Sequence, residues 1–431
     1  MANGKRPKLL AYSWLLTVLL CLSLFTFGIL ILAGVIQLPS PLAEFSQVVG
    51  IVIVAIALAV GCYGSIRCFW LLVAWLSSSD IKPKNRGVKG PKIVVVGGGT
   101  GLGTILRGLK ELTYNLTAIV TVADDGGSSG RLRQEFGILP PGDIRNCLVA
   151  MADIEPLMER LMQYRFAGNS NLAGHSFGNL FLTVMTDITG DFEQAIRESS
   201  KVLAVRGQVL PATLENVTLK AVMADGSIVS GESAITASKL AVDKVFLEPP
   251  QIKPLREAIN AINEADLIIL GPGSLYTSII PNLLVEEIAE TIRNATATKL
   301  YICNAMTQPG ETDHYTASDH IAAIINHAGQ GLIDVAVLNT EEIPQAILDR
   351  YAEEGAEPVV ADFEKVKALG VAPFGFDVIT KTNVIRHDAG KLAQMVLNFY
   401  RTQRLGQAFG KRVAGKLYRL FKGFIGFFVV H

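Results

Sequence analysis

The front of the chain lacks the alternation of a folded domain. Leu9 to Leu38 is apolar and uncharged throughout, and Val48 to Ile66 forms a second apolar run that resumes to Leu76 beyond Arg67. Each is long enough to cross a bilayer as a helix, so residues 1–76 are expected to form a two-helix transmembrane hairpin. Lys5, Arg6 and Lys8 precede the first run, and Lys82, Lys84, Arg86 and Lys89 follow the second. The connection "PSPLAEFSQ" holds no Lys or Arg. By the positive-inside rule both termini and the main domain are expected in the cytoplasm, on a multi-pass protein of the plasma membrane. A cleaved signal peptide would account for the first run and leave the second unexplained.

Residues 77–91, "SSSDIKPKNRGVKGP", read as a linker into a body over 92–400. Here the period changes. "KIVVV", "LTAIVTVA", "ADLIIL", "TKLYI" and "IDVAVLN" are short, almost continuously apolar strands, as a sheet covered on both faces requires. "LGTILRGLKEL" reads as a helix between the first two, which makes a βαβ unit. Helical stretches are expected around 283–293 and 316–327. The fold class is therefore α/β, a Rossmann-like, mostly parallel sheet. Residues 201–250 break this rhythm with alternation and a DG turn, and predict a small β-rich insertion.

Residues 401–431 form a basic amphipathic tail. Phe409, Leu417, Phe421, Phe424 and Phe428 share a helical face, with Lys411, Arg412, Lys416, Arg419 and Lys422 mostly elsewhere. That pattern suits a helix lying on membrane lipid; the alternative is a helix docked on the body. Charge sharpens the division. The chain balances 39 basic against 39 acidic residues, yet the stretch between its basic ends holds 24 basic and 37 acidic. An acidic body excludes a general nucleic-acid binder, and basic ends suit an anionic membrane surface. The five cysteines, at 21, 62, 68, 147 and 303, form no CxxC pair, so neither a disulfide framework nor a zinc knuckle is expected.

The candidate chemistry lies in glycine-rich turns after strands. In "GGGTG", Gly97, Gly98, Gly99, Thr100 and Gly101 lead into a helix whose free N–H groups suit a phosphate. GxGxxG and GK[ST] spacings are not met, and the alternative is a tight turn without ligand. "DDGGSSGR" brings Asp124, Asp125, Gly126, Gly127 and Ser128. Asp124 stands where an acid can bond a ribose. Asp125, with Asp143 of "PGDIRN", can bind a hard cation such as magnesium. The alternatives are a solvated acidic turn and, for Asp143, a helix N-cap. Asn146 of "PGDIRN", and His175 and Asn179 of "GHSFGN", add polar groups, although a lone histidine is more often structural. Gly271, Gly273, Ser274 and Tyr276 of "GPGSLYTS", and Asn304 after the next strand, complete one expected cleft. No GxSxG, HExxH or Cys–His pattern supports a hydrolytic nucleophile.

These motifs, together with "NAMTQPGETDHYTASDH" and in this order, resemble the YvcK-type gluconeogenesis factors, relatives of the CofD 2-phospho-L-lactate transferases. The resemblance covers about 92–400. It implies a Rossmann-like nucleotide cleft and, on the YvcK side, a UDP-sugar ligand such as UDP-N-acetylglucosamine with a regulatory role in cell shape and carbon metabolism. It also implies Tyr351 and Arg386 as UDP-sugar contacts. On the CofD side it implies magnesium-dependent transfer from a guanylylated phospholactate to a deazaflavin, with Asp124, Asp125 and Asp143 serving acceptor and metal. The expectation is a membrane-tethered nucleotide-sugar binder, more a regulator than an enzyme. Its expected partners are the nucleotide sugar, membrane lipid, a second copy and cell-envelope proteins. A transferase and a dinucleotide binder are the rivals.

Overall fold

In the computed structural model, the described residues are 25–27, 29–33, 48–49, 51–58, 90–154, 156–238, 240–381 and 385–402. The chain divides into two compact units, Met1–Lys84 and Asn85–His431. The described pieces of the first are short and helical, and leave Phe27, Ile29, Ile51, Val52 and Ile56 exposed. Among the described residues no helix is long and apolar enough to cross a membrane. Most of the two expected spans, the linker over 77–89 and the tail from 403 lie outside the described residues.

The second unit is built on a seven-stranded sheet. Its strands are β1 (Ile93–Gly97), β2 (Leu116–Val120), β3 (Gln208–Pro211), β7 (Leu267–Leu270), β8 (Thr298–Ile302), β9 (Val335–Asn339) and β10 (Ala372–Phe376). The spatial order is β10-β9-β8-β7-β1-β2-β3, and every pair is parallel. The cause is in the sequence: β1, β2 and β7 are buried at every position, so helices must cover both faces. The chain leaves β1 toward β2 and β3, then returns to β7 on the other side of β1. The two connections part between the carboxyl ends of β1 and β7, which is the switch point where open α/β sheets hold ligands.

Three expectations change in detail. The first helix begins at Gly99, not Leu102, and runs to Leu109. The insertion is narrower than 201–250, because the apolar residues of "QVLP" pair with β2 as the sheet's edge strand. The antiparallel insertion proper is β4 (Thr218–Met223), β5 (Ile228–Ser230) and β6 (Val242–Glu248), with the helix Glu232–Ala237 inside it. The long path from β2 to β3 carries a helical layer that periodicity did not outline, from Gly127–Phe136 and Gly142–Met151 to Phe192–Val202. Near the end, β11 (Ile379–Lys381) and β12 (Ile385–His387) form a small hairpin.

Candidate functional site

The glycine turns after β1 and β7 pack against each other. A Cβ on Gly101 would stand 2.6 Å from the Pro272 carbonyl oxygen and 2.9 Å from Gly273 Cα, so only glycine fits without parting the two turns. Gly98 caps the helix Gly99–Leu109 in extended conformation, and no side chain closes that cap. The first-turn N–H groups therefore keep their positive end for an anion, apart from the Gly99 N–H, which the Asp143 carboxylate accepts. Gly99 itself has φ +64°, a conformation that disfavours any side chain.

This helix start opens on a cavity of about 620 Å³. Gly98, Gly99, Thr100 and Gly101 line one side, and Gly273 and Ser274 continue it. Asn304 stands at the end of β8 and donates its amide to the Gly273 carbonyl at 2.9 Å, fixing that turn from outside the backbone. Tyr351 and Arg386 also line it. The Tyr351 hydroxyl accepts the Ile385 N–H at 2.9 Å, so β12 and the Tyr351 ring are held as one wall. Arg386 is exposed and forms no ion pair among the described residues. A ring and a guanidinium that line the same cavity as a helix N-terminus suit a base or sugar with a diphosphate.

Carboxyl groups shape the floor. Glu311 is buried and receives the Ser274 hydroxyl at 2.5 and 2.7 Å. Burial pushes it up, against the Ser274 hydroxyl and the Thr277 and Tyr276 N–H groups, which favour its charged form. Asp143 rises to about 7 through desolvation and the neighbouring Asp124 charge. Glu232 rises to about 9 through desolvation, with Asp124 and Asp143 adding to it. His387 falls to about 4 on burial, and as a neutral ring it donates Nε2–H to the Cys303 carbonyl at 3.2 Å.

Other expected residues stand elsewhere. Gly97 and Gly271 shape the turns from behind; the Gly97 carbonyl accepts from Asn282, and Gly271 N–H bonds to Val96. Tyr276 points away from the cavity into an aromatic cluster, with its hydroxyl 2.8 Å from that of Tyr315. Ser128, His175 and Asn179 form a buried network: the Ser128 hydroxyl lies 3.0 Å from His175 Nδ1 and 3.1 Å from Asn179 Nδ2. The Arg145 guanidinium extends it to Ser176 at 2.7 Å and to Asn146 at 2.7 Å. Gly126 and Gly127 start the helix beside this network, where Asp124 accepts the Gly126 N–H at 2.8 Å. Asp124, not Asp125, is the acid beside Asp143; the Asp125 carboxylate turns to the insertion and accepts the Ser233 N–H at 2.9 Å. Among the described residues no group of three or more metal-ligating side chains converges.

Glu232, Thr236 and His387 line the cavity without having been singled out from the sequence. "GES" in an alternating segment carries no glycine-turn signal after a parallel strand. His387 adjoins Arg386 in "IRH", and only burial gives it a role.

Residues 93–379 match the family described as 2-phospho-L-lactate transferase CofD. The gluconeogenesis factor of Bacillus subtilis (strain 168) is 56% identical over 309 residues, which are 72% of this chain and 98% of that protein. That of Halalkalibacterium halodurans is 54% identical over 311 residues, 72% of this chain and 97% of its own. The crystal structure of a UPF0052-family protein from Bacillus halodurans, at 2.60 Å resolution, superposes with a TM-score of 0.70 and 54% identity. It covers 72% of this chain and 100% of that one.

Proposed function

We infer that this chain, which belongs to the CofD family and to the gluconeogenesis factors, holds a nucleotide sugar of the UDP-N-acetylglucosamine type without turning it over. In this reading it regulates carbon metabolism and cell-envelope growth. One observation carries the ligand: the uncapped start of the helix Gly99–Leu109 shares a single cavity with Tyr351 and with Arg386, which forms no ion pair among the described residues. The diphosphate takes the helix N–H groups and the guanidinium, while the Tyr351 ring covers the base or sugar. The two apolar runs before the body and the basic tail after it hold the protein at the membrane, with the body on the cytoplasmic side. Calorimetric titration of residues 91–400 with UDP-N-acetylglucosamine, GDP, NAD and a deazaflavin tests the ligand. The choice of residues 91–400 is supported by the solved relative, whose whole length matches 72% of this chain. Saturable binding of the UDP-sugar alone supports the reading, and preference for NAD or the deazaflavin defeats it.

A second reading rests on the pairing of Asp124 with Asp143. Two acids that oppose each other's ionisation fit a divalent cation, which would relieve the repulsion. Magnesium there would neutralise charge on a phosphoryl group. Asp124 and Asp143 would hold it, and the chain would then be a CofD-like transferase. Product from deazaflavin and a guanylylated phospholactate, lost in Asp124→Asn/Asp143→Asn, would establish that activity.

A further inference from the structure

The outer edge of the insertion is closed by a histidine of the body. In the order β5-β4-β6, β6 pairs with β4 on one side and with no other strand among the described residues. Such an edge leaves backbone N–H groups without a ladder partner. At Val245 the N–H donates instead to His327 Nε2 at 3.0 Å. His327 stands in the last turn of the helix Ala317–Ala328. Its Nδ1 lies 2.7 Å from the Ala323 carbonyl oxygen, four residues back on the same helix. A carbonyl can only accept, and a backbone N–H can only donate. The two partners therefore fix the ring as neutral, with the proton on Nδ1 and the lone pair on Nε2. The ring also meets Tyr276 edge to face, with centroids 5.6 Å apart. Tyr276 belongs to the turn after β7, whose Ser274, Thr277 and Ser278 line the cavity. The insertion reaches the same cavity with Glu232 and Thr236. One side chain thus touches both segments that build this part of the wall.

We propose that His327 is a positioning residue for ligand binding: it latches the insertion to the turn after β7, and it does so only as the neutral imidazole. This rests on the reading of the cavity given above. A protonated ring carries an N–H on both nitrogens, so Nε2 loses the lone pair that receives Val245, and two donors face each other. The insertion then comes away from the helix, and Glu232 and Thr236 leave their places on the cavity. The charged groups beside the ring are Lys244 and Asp243, both on β6, and Tyr276 is the titratable group on the turn. Burial holds the ring below its ordinary 6.5; Lys244 adds to burial, while the Ala323 carbonyl and Asp243 oppose it. The latch is therefore closed above that value and opens as pH falls below it.

The test uses the full chain in detergent, titrated with UDP-N-acetylglucosamine at pH 8 and pH 5. His327→Phe keeps an aromatic ring and leaves the Val245 N–H unpaired, whereas His327→Gln keeps an acceptor that does not titrate. At pH 8 the Phe variant should bind about tenfold more weakly than wild type, and the Gln variant within about threefold. Wild-type affinity divided by that of the Gln variant should fall about tenfold from pH 8 to pH 5. The ratio cancels titration of the ligand and of the acids around the cavity. Nitrogen NMR spectra of the histidine rings, with the His327 signal assigned by its loss in the Gln variant, should show the Nδ1–H tautomer at pH 8. A Phe variant equal to wild type, a constant ratio or the Nε2–H tautomer would overturn the proposal. Should the Phe variant not fold, the ratio and the spectra still decide. Amide exchange across Val242–Glu248 separates the two claims. Faster exchange in the Phe variant, restored in the Gln variant, is expected whatever binds, and equal exchange in all three overturns the latch. If exchange behaves as expected and no UDP-sugar binds, the reading of the cavity fails, and the role of His327 in binding fails with it.

Discussion

The turns after β1 and β7 and the Ser128–His175–Asn179 network both read in the sequence as glycine-flanked polar motifs, yet the fold uses them differently. The first pair leaves backbone donors open on a cavity. In the second, Ser128, His175, Asn179, Ser176 and Arg145 bond mainly to one another and lie buried, with Asn179 Oδ1 and Arg145 Nε left without a partner among the described residues. A polar motif offers itself to a ligand when its donors are left over, and holds shape when they are spent internally. Substitutions at the first region should therefore cost binding, and substitutions at the second should cost stability.

The largest effect is expected at Gly101. Gly101→Val drives a branched side chain into the Pro272–Gly273 backbone. Overpacking of that kind costs about 1–3 kcal/mol, and UDP-sugar affinity should fall at least a hundredfold. Melting and calorimetry together check this; near-normal affinity would mean that the two turns do not form the ligand wall.

The buried network should behave in the opposite way. Asn179→Ala removes the amide that donates to Ser128, at a cost of about 1–3 kcal/mol for groups left unpaired. Urea unfolding should show that loss while affinity stays within about threefold. A large loss of affinity with unchanged stability would move the network into the binding site.

Asp143 lies between the two regions and sharpens the contrast through pH. Its folded-state value of about 7 lies above its ordinary 3.8, so the folded protein binds more protons between these values. Stability linked to this group falls as pH rises from about 4 through 7, and the full penalty is present above 7. Asp143→Asn should therefore stabilise the protein at pH 8, with a ceiling of roughly 4 kcal/mol and an expected gain of about 1–2, and change little at pH 4. Urea titrations at the two pH values check the sign. Equal gains at both would show that the effect is not ionisation.

Tyr351→Phe should give the smallest effect. It removes the hydroxyl that holds the Ile385 N–H, about 1 kcal/mol, and keeps the ring. Affinity should fall less than for Tyr351→Ala, and the reverse order would mean that the hydroxyl, not the ring, meets the ligand.

What the sequence disclosed follows the same physics. Short apolar runs rich in β-branched residues and ended by glycine, such as "IVVVG" and "LIIL", read as buried parallel strands, so the sheet was legible, as was the turn chemistry at Gly98–Gly101 and Gly273–Ser274. The helices between β2 and β3 were not, because short, partly exposed helices such as Pro156–Gln163 bury too little to mark a period. Asp124 and Asp125 are adjacent in sequence, and only the backbone's path sends one carboxylate toward Asp143 and the other to Ser233. Tyr351 and Arg386 entered through family resemblance alone, since nothing local marks an exposed arginine on a short hairpin. Glu232 had no signal, because only the fold of the insertion brings it to the cavity.

The most direct test of the central claim is amide hydrogen exchange of the body with and without saturating UDP-N-acetylglucosamine. The account predicts new protection at Thr100–Gly101 and at Gly273–Ser274, and none at Ser128–Ser129 or Asn179. Protection centred on Ser128 and Asn179, with the glycine turns unchanged, would contradict it.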